Sequence, residues 1–169
     1  MKNIIIVVIV LIQASSFAQI NSSVSDTKQK ISSVIEKWHK SAANASFDTY
    51  FNLMTEDAIF IGTDPTENWD LQAFKAFSKP YFDRGKAWNF STLERNIFIH
   101  SNLNIAWFDE LLDTQMGICR GSGVMEKKSE SWKIKHYVLS IAIPNKNVKE
   151  ITALKESFDT KLIKKLREN

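Results

Sequence analysis

Residues 88–143 read WNFSTLERNIFIHSNLNIAWFDELLDTQMGICRGSGVMEKKSESWKIKHYVLSIAI, and this stretch decides the fold of the chain. Along it, apolar and polar residues alternate with the period of two that is typical of β-strands. Short polar segments interrupt the alternation, and links of this length favour antiparallel hairpins. The sequence therefore predicts four consecutive strands, at 88–100, 104–114, 118–127 and 131–143.

The residues before this meander have the spacing of amphipathic helices. Three helices are predicted, the third capped by Asp70, with the apolar faces Ile31, Val34, Ile35, Trp38 and Ala42; Phe47, Tyr50, Phe51 and Met54; and Leu71, Phe74, Phe77 and Tyr81. A short strand is predicted at 58–61. Helices gathered before a meander favour an α+β fold. We expect a cone-shaped barrel, in which a curved antiparallel sheet wraps on the N-terminal helices and leaves an interior that side chains do not fill completely.

The first 18 residues have the features of a secretory signal peptide. Lys2 provides a positive charge, Ile4 to Ile12 is apolar, and Ser16-Phe17-Ala18 precedes a cleavage site that leaves Gln19 first. The apolar run is about half of the roughly 20 residues that a membrane span needs, which favours cleavage over an uncleaved anchor. The mature protein is therefore expected in the periplasm or outside the cell, with no membrane segment.

After the signal peptide, 1–18, the chain divides into a flexible lead-in, 19–27, one domain, 28–147, and a C-terminal helix, 148–169. This helix carries an apolar stripe, which we expect to cover its own subunit or a dimer mate, with docking on another partner as the alternative. The chain has 22 Lys and Arg against 19 Asp and Glu, and removal of Lys2 lowers the net charge from +3 to +2. A charge this small excludes a nucleic-acid-binding stripe. The lone Cys119 cannot form an internal disulfide, and its apolar surroundings favour a buried, inert thiol over a reactive one.

Four blocks of the sequence, in this order, resemble bacterial SnoaL-like proteins of the nuclear transport factor 2-like superfamily. They are Gly62–Trp69, Ala106–Glu110, Cys119–Val124 and Trp132–Ser140, the last followed by Ile143-Pro144-Asn145. The resemblance implies a cone-shaped α+β barrel, usually dimeric, with a pocket between the helices and the sheet. It does not imply one activity, because the superfamily includes isomerases, epoxide hydrolases, polyketide cyclases and plain binding proteins.

The candidate catalytic residues are His136, Glu110 and Asp109. Alternation along the last strand places His136 on the face opposite Lys133 and Lys135, so its imidazole is expected to look into the cone. A histidine there could carry protons near neutral pH. The alternative is a buried histidine that only bonds to a neighbouring group.

Asp109 and Glu110 are adjacent and face opposite sides of their strand, so only one of them can point inward. Hairpin loops with an even number of residues put Glu110 on the face of His136, whereas a bulge or an odd loop would reverse this. An inward carboxylate beside the imidazole would make an acid–base pair. The alternative is a structural ion pair of the carboxylate with Arg120 or Arg95.

The candidate ligand-binding residues are Arg120, Tyr50, Trp69 and Asp64. The Arg120 guanidinium could bind a ligand carboxylate or phosphate, although the glycine-rich run that it opens also fits a bend or a close approach. Tyr50, Tyr81 or Tyr137 could polarise a carbonyl or epoxide oxygen. Trp69 could line a pocket, and Asp64 lies on a loop that fits either a pocket mouth or a plain turn.

Two functions follow from these residues. The first is an exported domain that binds a small, largely apolar molecule in its cone, with a homodimer as the expected assembly. The alternative is an acid–base isomerase, cyclase or epoxide-hydrolase-type enzyme that uses His136 with an inward carboxylate, but the Asp-Arg-Asp set of limonene-epoxide-type hydrolases does not map onto this sequence residue by residue. The three histidines lack the spacing of metal ligands, and no metal or other cofactor is expected.

Overall fold

The computed structural model describes residues 24–168, and the predicted signal peptide lies outside these residues. The elements are, in order, α1 (residues 24–43), α2 (Phe47–Asn52), β1 (Met54–Ile61), β2 (Asn68–Asp70), α3 (Leu71–Asp83), β3 (Phe90–Ile99), β4 (Ile105–Thr114), β5 (Gly117–Lys128), β6 (Ser131–Ile141), a short 3₁₀ turn (Asn145–Asn147) and α4 (Val148–Arg167). The predicted α+β class is confirmed.

One curved sheet of six strands, in the order β2-β1-β6-β5-β4-β3, forms the wall of the fold. The four-stranded meander is antiparallel throughout, as the sequence predicts. β1 joins it parallel to β6, and β2 pairs antiparallel with β1. Because β2 and β3 remain as edges, the sheet is an open cone and not a closed barrel.

Helices α1, α2 and α3 lie on one face of the sheet, called here the inner face, where the core forms. α1 contributes its predicted stripe, with Ile31, Ile35 and Trp38 buried. The Asp70 carboxylate accepts a hydrogen bond of 2.8 Å from the backbone N–H of Ala73, which confirms the predicted cap of α3. Large aromatic side chains dominate this core because the concave surface must be filled from few elements.

Two parts of the chain differ from the sequence prediction. Residues 24–27, predicted as part of a flexible lead-in, are helical, because Val24 lies seven residues before Ile31 and extends the same apolar stripe. At the other end, no residue of α4 is buried, although its sequence stripe predicts a covering helix. Within the described chain, α4 therefore does not bury this stripe on its own subunit.

A β-bulge in β6 changes which side chains face the core. Met125 of β5 pairs with Ile134, but Val124 pairs with His136, so Lys135 is an extra residue. Its ammonium Nζ lies 2.6 Å from Asp57 Oδ2 and 3.2 Å from Glu126 Oε2, so the extra residue contacts the strands on both sides of β6, which are β1 and β5. Beyond the bulge, the inward positions are therefore Tyr137 and Leu139, both of which are buried.

Candidate functional site

A cavity of about 290 Å³ lies at the end of the sheet where β1 and β6 finish and β3 begins. Four segments surround it: the loop after β1, helix α3, the segment between α3 and β3, and the β4–β5 turn. The residues that line it are Phe60, Gly62, Thr63, Glu67, Trp69, Phe74, Phe77, Tyr81, Ala87, Trp88, Phe90, Gln115, Met116 and Leu139. Half of these residues are aromatic, so the cavity is mainly apolar.

Stacked rings form the wall of the cavity on the α3 side. Phe74 and Phe77 project from α3, and Trp69 stacks on Phe77 with ring centroids 4.4 Å apart. Phe74 in turn stacks on Phe60 of β1 at 4.0 Å. Spacing of three residues on a helix places both α3 side chains on the same face, which explains why this short helix presents rings to the cavity.

Polar groups are few among the lining residues, and all but one of them lie on loops. They are Thr63 and Glu67 after β1, the Tyr81 hydroxyl on α3 and the Gln115 amide in the β4–β5 turn. The Glu67 side chain folds back over its own turn, where Oε2 accepts a hydrogen bond of 3.1 Å from the backbone N–H of Asp64. A cavity of this composition suits a ligand held mainly by apolar contact and oriented by a few polar groups.

A second feature, a buried charged network around Glu110, lies under the helices. Glu110 Oε1 is 2.8 Å from His39 Nε2 and accepts a hydrogen bond of 2.9 Å from the Tyr137 hydroxyl. Its other oxygen, Oε2, accepts bonds of 3.0 and 2.7 Å from Nε and Nη2 of Arg95. Arg95 also donates to Thr92 and to the Ser32 hydroxyl. The network thus connects α1, β3, β4 and β6.

The charges of this network shift two pKa values. Burial alone would raise the pKa of the Glu110 carboxyl, but the hydrogen bond and charge of His39 and the charge and hydrogen bonds of Arg95 together lower it below its ordinary value. The pKa of the Tyr137 hydroxyl is raised well above its ordinary value by burial and by the adjacent Glu110 carboxylate. Glu110 is therefore a carboxylate and Tyr137 a neutral phenol over the physiological pH range.

The network does not open into the cavity. None of Glu110, His39, Arg95 and Tyr137 is a lining residue, and Glu110 is completely buried. Aromatic rings separate the network from the cavity. The ring centroid of Phe90 lies 5.7 Å from that of His39, and the ring centroid of Phe60 lies 5.6 Å from that of Tyr137. Both carboxylate oxygens already have partners, so the arrangement cross-links the core and leaves neither oxygen free for a reacting group.

The prediction that His136 looks into the cone is wrong. The bulge at Lys135 moves the next residue to the outer face of the sheet, opposite the face of Tyr137. His136 is partly exposed there and pairs with Val124, whereas Glu110 faces inward. The proposed acid–base pair is therefore not formed, and the alternative holds instead: Glu110 makes a structural ion pair with Arg95.

The other candidate residues are spread over the fold. Asp109 and Arg120 lie on the outer face of the sheet, with Asp109 3.2 Å from Asn96 and Arg120 exposed. Tyr50 is buried in the core, stacked on Trp38 with ring centroids 4.9 Å apart, and does not line the cavity. Asp64 supports the rim by accepting hydrogen bonds from Thr66. Of the four ligand-binding candidates, Trp69 alone is a lining residue.

Sequence reasoning missed two partners of Glu110, His39 and Tyr137. A usable signal existed for His39, because it lies four residues after Ile35 and therefore on the buried face of α1. Tyr137 carried no such signal, since strict alternation assigns it to the outer face and only the bulge turns it inward.

Two further properties concern residues 24–168 as a whole. In that range no helix is both long enough and apolar enough to span a bilayer. Within the same residues, His, Cys, Asp and Glu side chains nowhere gather in a group of three or more that could hold a metal ion.

Solved structures with low sequence identity share this fold. An NTF2-like protein of unknown function from Pseudomonas putida is 11% identical, with a TM-score of 0.60 over 73% of this chain and 92% of that chain. A putative aromatic ring hydroxylase from Novosphingobium aromaticivorans is 12% identical, with a TM-score of 0.61 over 70% and 91%. The association domain of CaMKII from C. elegans is 20% identical, with a TM-score of 0.56 over 69% and 97%. These likenesses show the fold alone.

Sequence comparison identifies the family. No curated protein matches the chain significantly. The family model described as the SnoaL-like domain matches residues 31–144, from the buried stripe of α1 to the end of the sheet. This match covers both the cavity and the Glu110 network, and the chain therefore belongs to the SnoaL-like domain family.

Proposed function

We propose that this protein binds a small, largely apolar, ring-containing molecule in the cavity beside α3. The proposal is based on the cavity itself, whose wall on the α3 side consists of the stacked rings of Phe60, Trp69, Phe74 and Phe77. Flat ring faces at the end of a rigid sheet provide dispersion contact and offset stacking for another ring. Its volume of about 290 Å³ is near the lower end of the range for ligand pockets, which favours a ligand of one to three rings.

The geometry favours binding over the predicted acid–base chemistry of His136 with an inward carboxylate. The predicted proton carrier, His136, lies on the outer face, away from the cavity. The carboxylate that does face inward, Glu110, is closed in by its four hydrogen bonds. General acid–base catalysis needs a titratable group within hydrogen-bond reach of the substrate, and neither residue meets this requirement.

A ligand screen with a blocked cavity tests this proposal. Ala87 lines the cavity, and the change Ala87→Trp would place a bulky ring in it. Ala76→Trp is the matched control, because Ala76 is exposed on α3 and does not line the cavity. One- to three-ring compounds would be titrated into each variant, with tryptophan fluorescence and the melting temperature as readouts.

We expect at least one compound class to raise the melting temperature of the wild type and of Ala76→Trp, but not that of Ala87→Trp, because a ligand stabilises the state that binds it. No binding by any compound, or equal binding by Ala87→Trp, would count against the proposal.

We also propose that the mature protein is an exported homodimer. Support for the dimer comes from the outer face of the sheet, where Phe98 and Trp107 stack at 5.8 Å while each remains nearly half exposed. Exposed apolar patches of this kind mark interfaces, and the fold also occurs in the association domain of a kinase. A second copy of this chain is the proposed occupant, and it would also cover the unburied stripe of α4.

Export rests on the N-terminal sequence, which predicts cleavage after Ala18. Intact mass measurement of the protein from its native host is expected to give a chain that begins at Gln19 in the periplasmic or extracellular fraction. A chain that keeps Lys2 in the cytoplasm would contradict export.

A further inference from the structure

The charged groups at the cavity have a single sign. Among the residues that line it, Glu67 is the one with a side chain that is charged at neutral pH. Within residues 24–168 no Lys or Arg lines the cavity, and Arg84 lies beside it, with its guanidinium 4.7 Å from the centroid of the Tyr81 ring. Among the lining side chains, a ligand anion would therefore meet a carboxylate and no cation.

The Glu67 carboxylate is held in place by its own loop. The backbone N–H of Glu67 donates to the Asp64 carbonyl at 3.0 Å, and the Glu67 carbonyl accepts from the Gly62 N–H at 3.1 Å. Its Oε2 accepts from the Asp64 N–H. A Cβ on Gly62 would be 2.1 Å from Oε2, so this position needs glycine for the carboxylate to fold over the rim. The hydrogen bond from the Asp64 N–H favours this position of the carboxylate before a ligand arrives, which lowers the ordering cost of binding.

The ring wall has the same electrostatic preference as Glu67. The face of an aromatic ring carries partial negative charge and attracts cations within about 6 Å of its centroid. Trp69 and Phe77 line the same cavity as Glu67. Rings and carboxylate together form a surface that is apolar and electronegative.

We propose that the ligand of this cavity is cationic: an ammonium group attached to an apolar ring system, with the ring against the α3 wall and the ammonium at Glu67. This inference rests on the proposed binding function and names the chemical class of its ligand. Glu67 is then the residue that determines specificity, since it distinguishes amines from neutral and anionic molecules of the same shape.

Three probes of one shape test the inference. Naphthylmethylamine is a cation at neutral pH, naphthylmethanol is neutral, and naphthoate is an anion. Each would be titrated into the wild type, into Glu67→Gln, which keeps the size and hydrogen bonding of the side chain, and into Glu156→Gln. The last is the control for loss of one negative charge, because Glu156 is exposed on α4. Isothermal calorimetry gives the dissociation constants, and the melting temperature without probe reports folding.

The wild type is expected to bind the amine about tenfold more tightly than the alcohol, and the anion most weakly, because hydrogen bonds to charged groups are the stronger ones. Glu67→Gln should weaken amine binding about tenfold and leave alcohol binding within about twofold, whereas Glu156→Gln should change neither. Equal binding of all three probes, or an unchanged amine affinity in Glu67→Gln, would overturn the cationic class but leave the binding function intact. If the wild type binds none of them and no compound of the wider screen, the binding function itself fails.

Discussion

Glu110 places a negative charge in a core of aromatic side chains, and burying a charge is unfavourable unless it is paired and hydrogen-bonded. Its carboxylate is completely buried and accepts from Arg95, His39 and Tyr137. Removing one member of a buried ion pair leaves the other charge without compensation, which destabilises a protein by roughly 3–5 kcal/mol.

We therefore expect Glu110→Gln to lower the free energy of unfolding by at least about 3 kcal/mol in urea titrations. Asp109→Asn is the matched control, because this neighbouring carboxylate faces outward and accepts one bond from Asn96; the control should stay within about 0.5 kcal/mol of the wild type. If both variants unfold at the same urea concentration as the wild type, the network contributes nothing to the core.

The same residue predicts a pH dependence. The pKa of Glu110 in the folded state lies below its ordinary value of 4.5, so the carboxylate favours the folded state above that pH. This stability is lost as the pH falls through the folded-state pKa. As the pH falls below about 4.5, the free energy of unfolding of the wild type should therefore decrease more than that of Glu110→Gln. Parallel acid-denaturation curves of the two proteins would contradict the assignment.

At the residue scale, the sequence predicted an inward carboxylate but could not choose its partner. Alternation assigned His136 to the core, and one extra residue, Lys135, reversed that assignment. The bulged residue contacts Glu126 on the neighbouring strand β5 and Asp57 on β1, which is 78 residues away in the chain. The short-range pattern carries no information about such contacts.

At the scale of elements, two positions of β5 without a side chain, Gly121 and Gly123, determine how the neighbouring strands pack. Gly121 faces the core, and a Cβ there would be 2.2 Å from the Tyr137 hydroxyl oxygen and 3.0 Å from Glu110 Cγ. At Gly123, a Cβ would be 2.7 Å from the Phe108 ring. The two glycines thus let large side chains of β4 and β6 lie across the strand, a more specific role than the predicted bend or close approach.

Gly121→Ala is expected to cost about 1–3 kcal/mol of stability, because overpacking forces the Tyr137 ring away from Glu110. Ser122→Ala serves as the control, since Ser122 is exposed on the opposite face of the same strand. Thermal unfolding measures both, and the near-ultraviolet circular dichroism reports the packing of the aromatic rings. A Gly121→Ala variant with unchanged melting and spectrum would show that the strand has room for a side chain.

The elements themselves were largely predictable, because each is coded by local periodicity. The four strands of the meander, α1 and α3 are found where the pattern placed them, whereas Met54, which the pattern placed on the second helix, begins β1 four residues before the predicted strand at 58–61. β2 was not predicted, since three residues are too short for a period to show. The parallel pairing of β1 with β6 also escaped prediction, because it joins segments that are far apart in the chain.

At the scale of the whole molecule, the exposed apolar patch on the outer face of the sheet predicts that two copies of the chain form a dimer through this face. Trp107→Glu would place a charge in the proposed interface, and we expect the dimer to dissociate in sedimentation-velocity experiments at micromolar concentration, since a buried unpaired charge is strongly unfavourable. Leu103→Glu is the control, because Leu103 is as exposed as Trp107 but lies in the β3–β4 loop. A wild type that is monomeric throughout, or a Trp107→Glu variant that stays dimeric, would exclude this face.

The central claim is that the cavity beside α3 takes up a small ring-containing molecule, and methionine methyl NMR tests it most directly. Beyond the predicted signal peptide the chain has three methionines: Met116 lines the cavity, whereas Met54 and Met125 are buried in the core and do not line it. With ¹³C-methyl methionine and a bound aromatic ligand, ring currents should shift the Met116 signal and leave the other two nearly unchanged. If saturating ligand leaves the Met116 methyl signal unshifted, or shifts the signal of Met54 or Met125 instead, the ligand does not bind in this cavity and the central claim is contradicted.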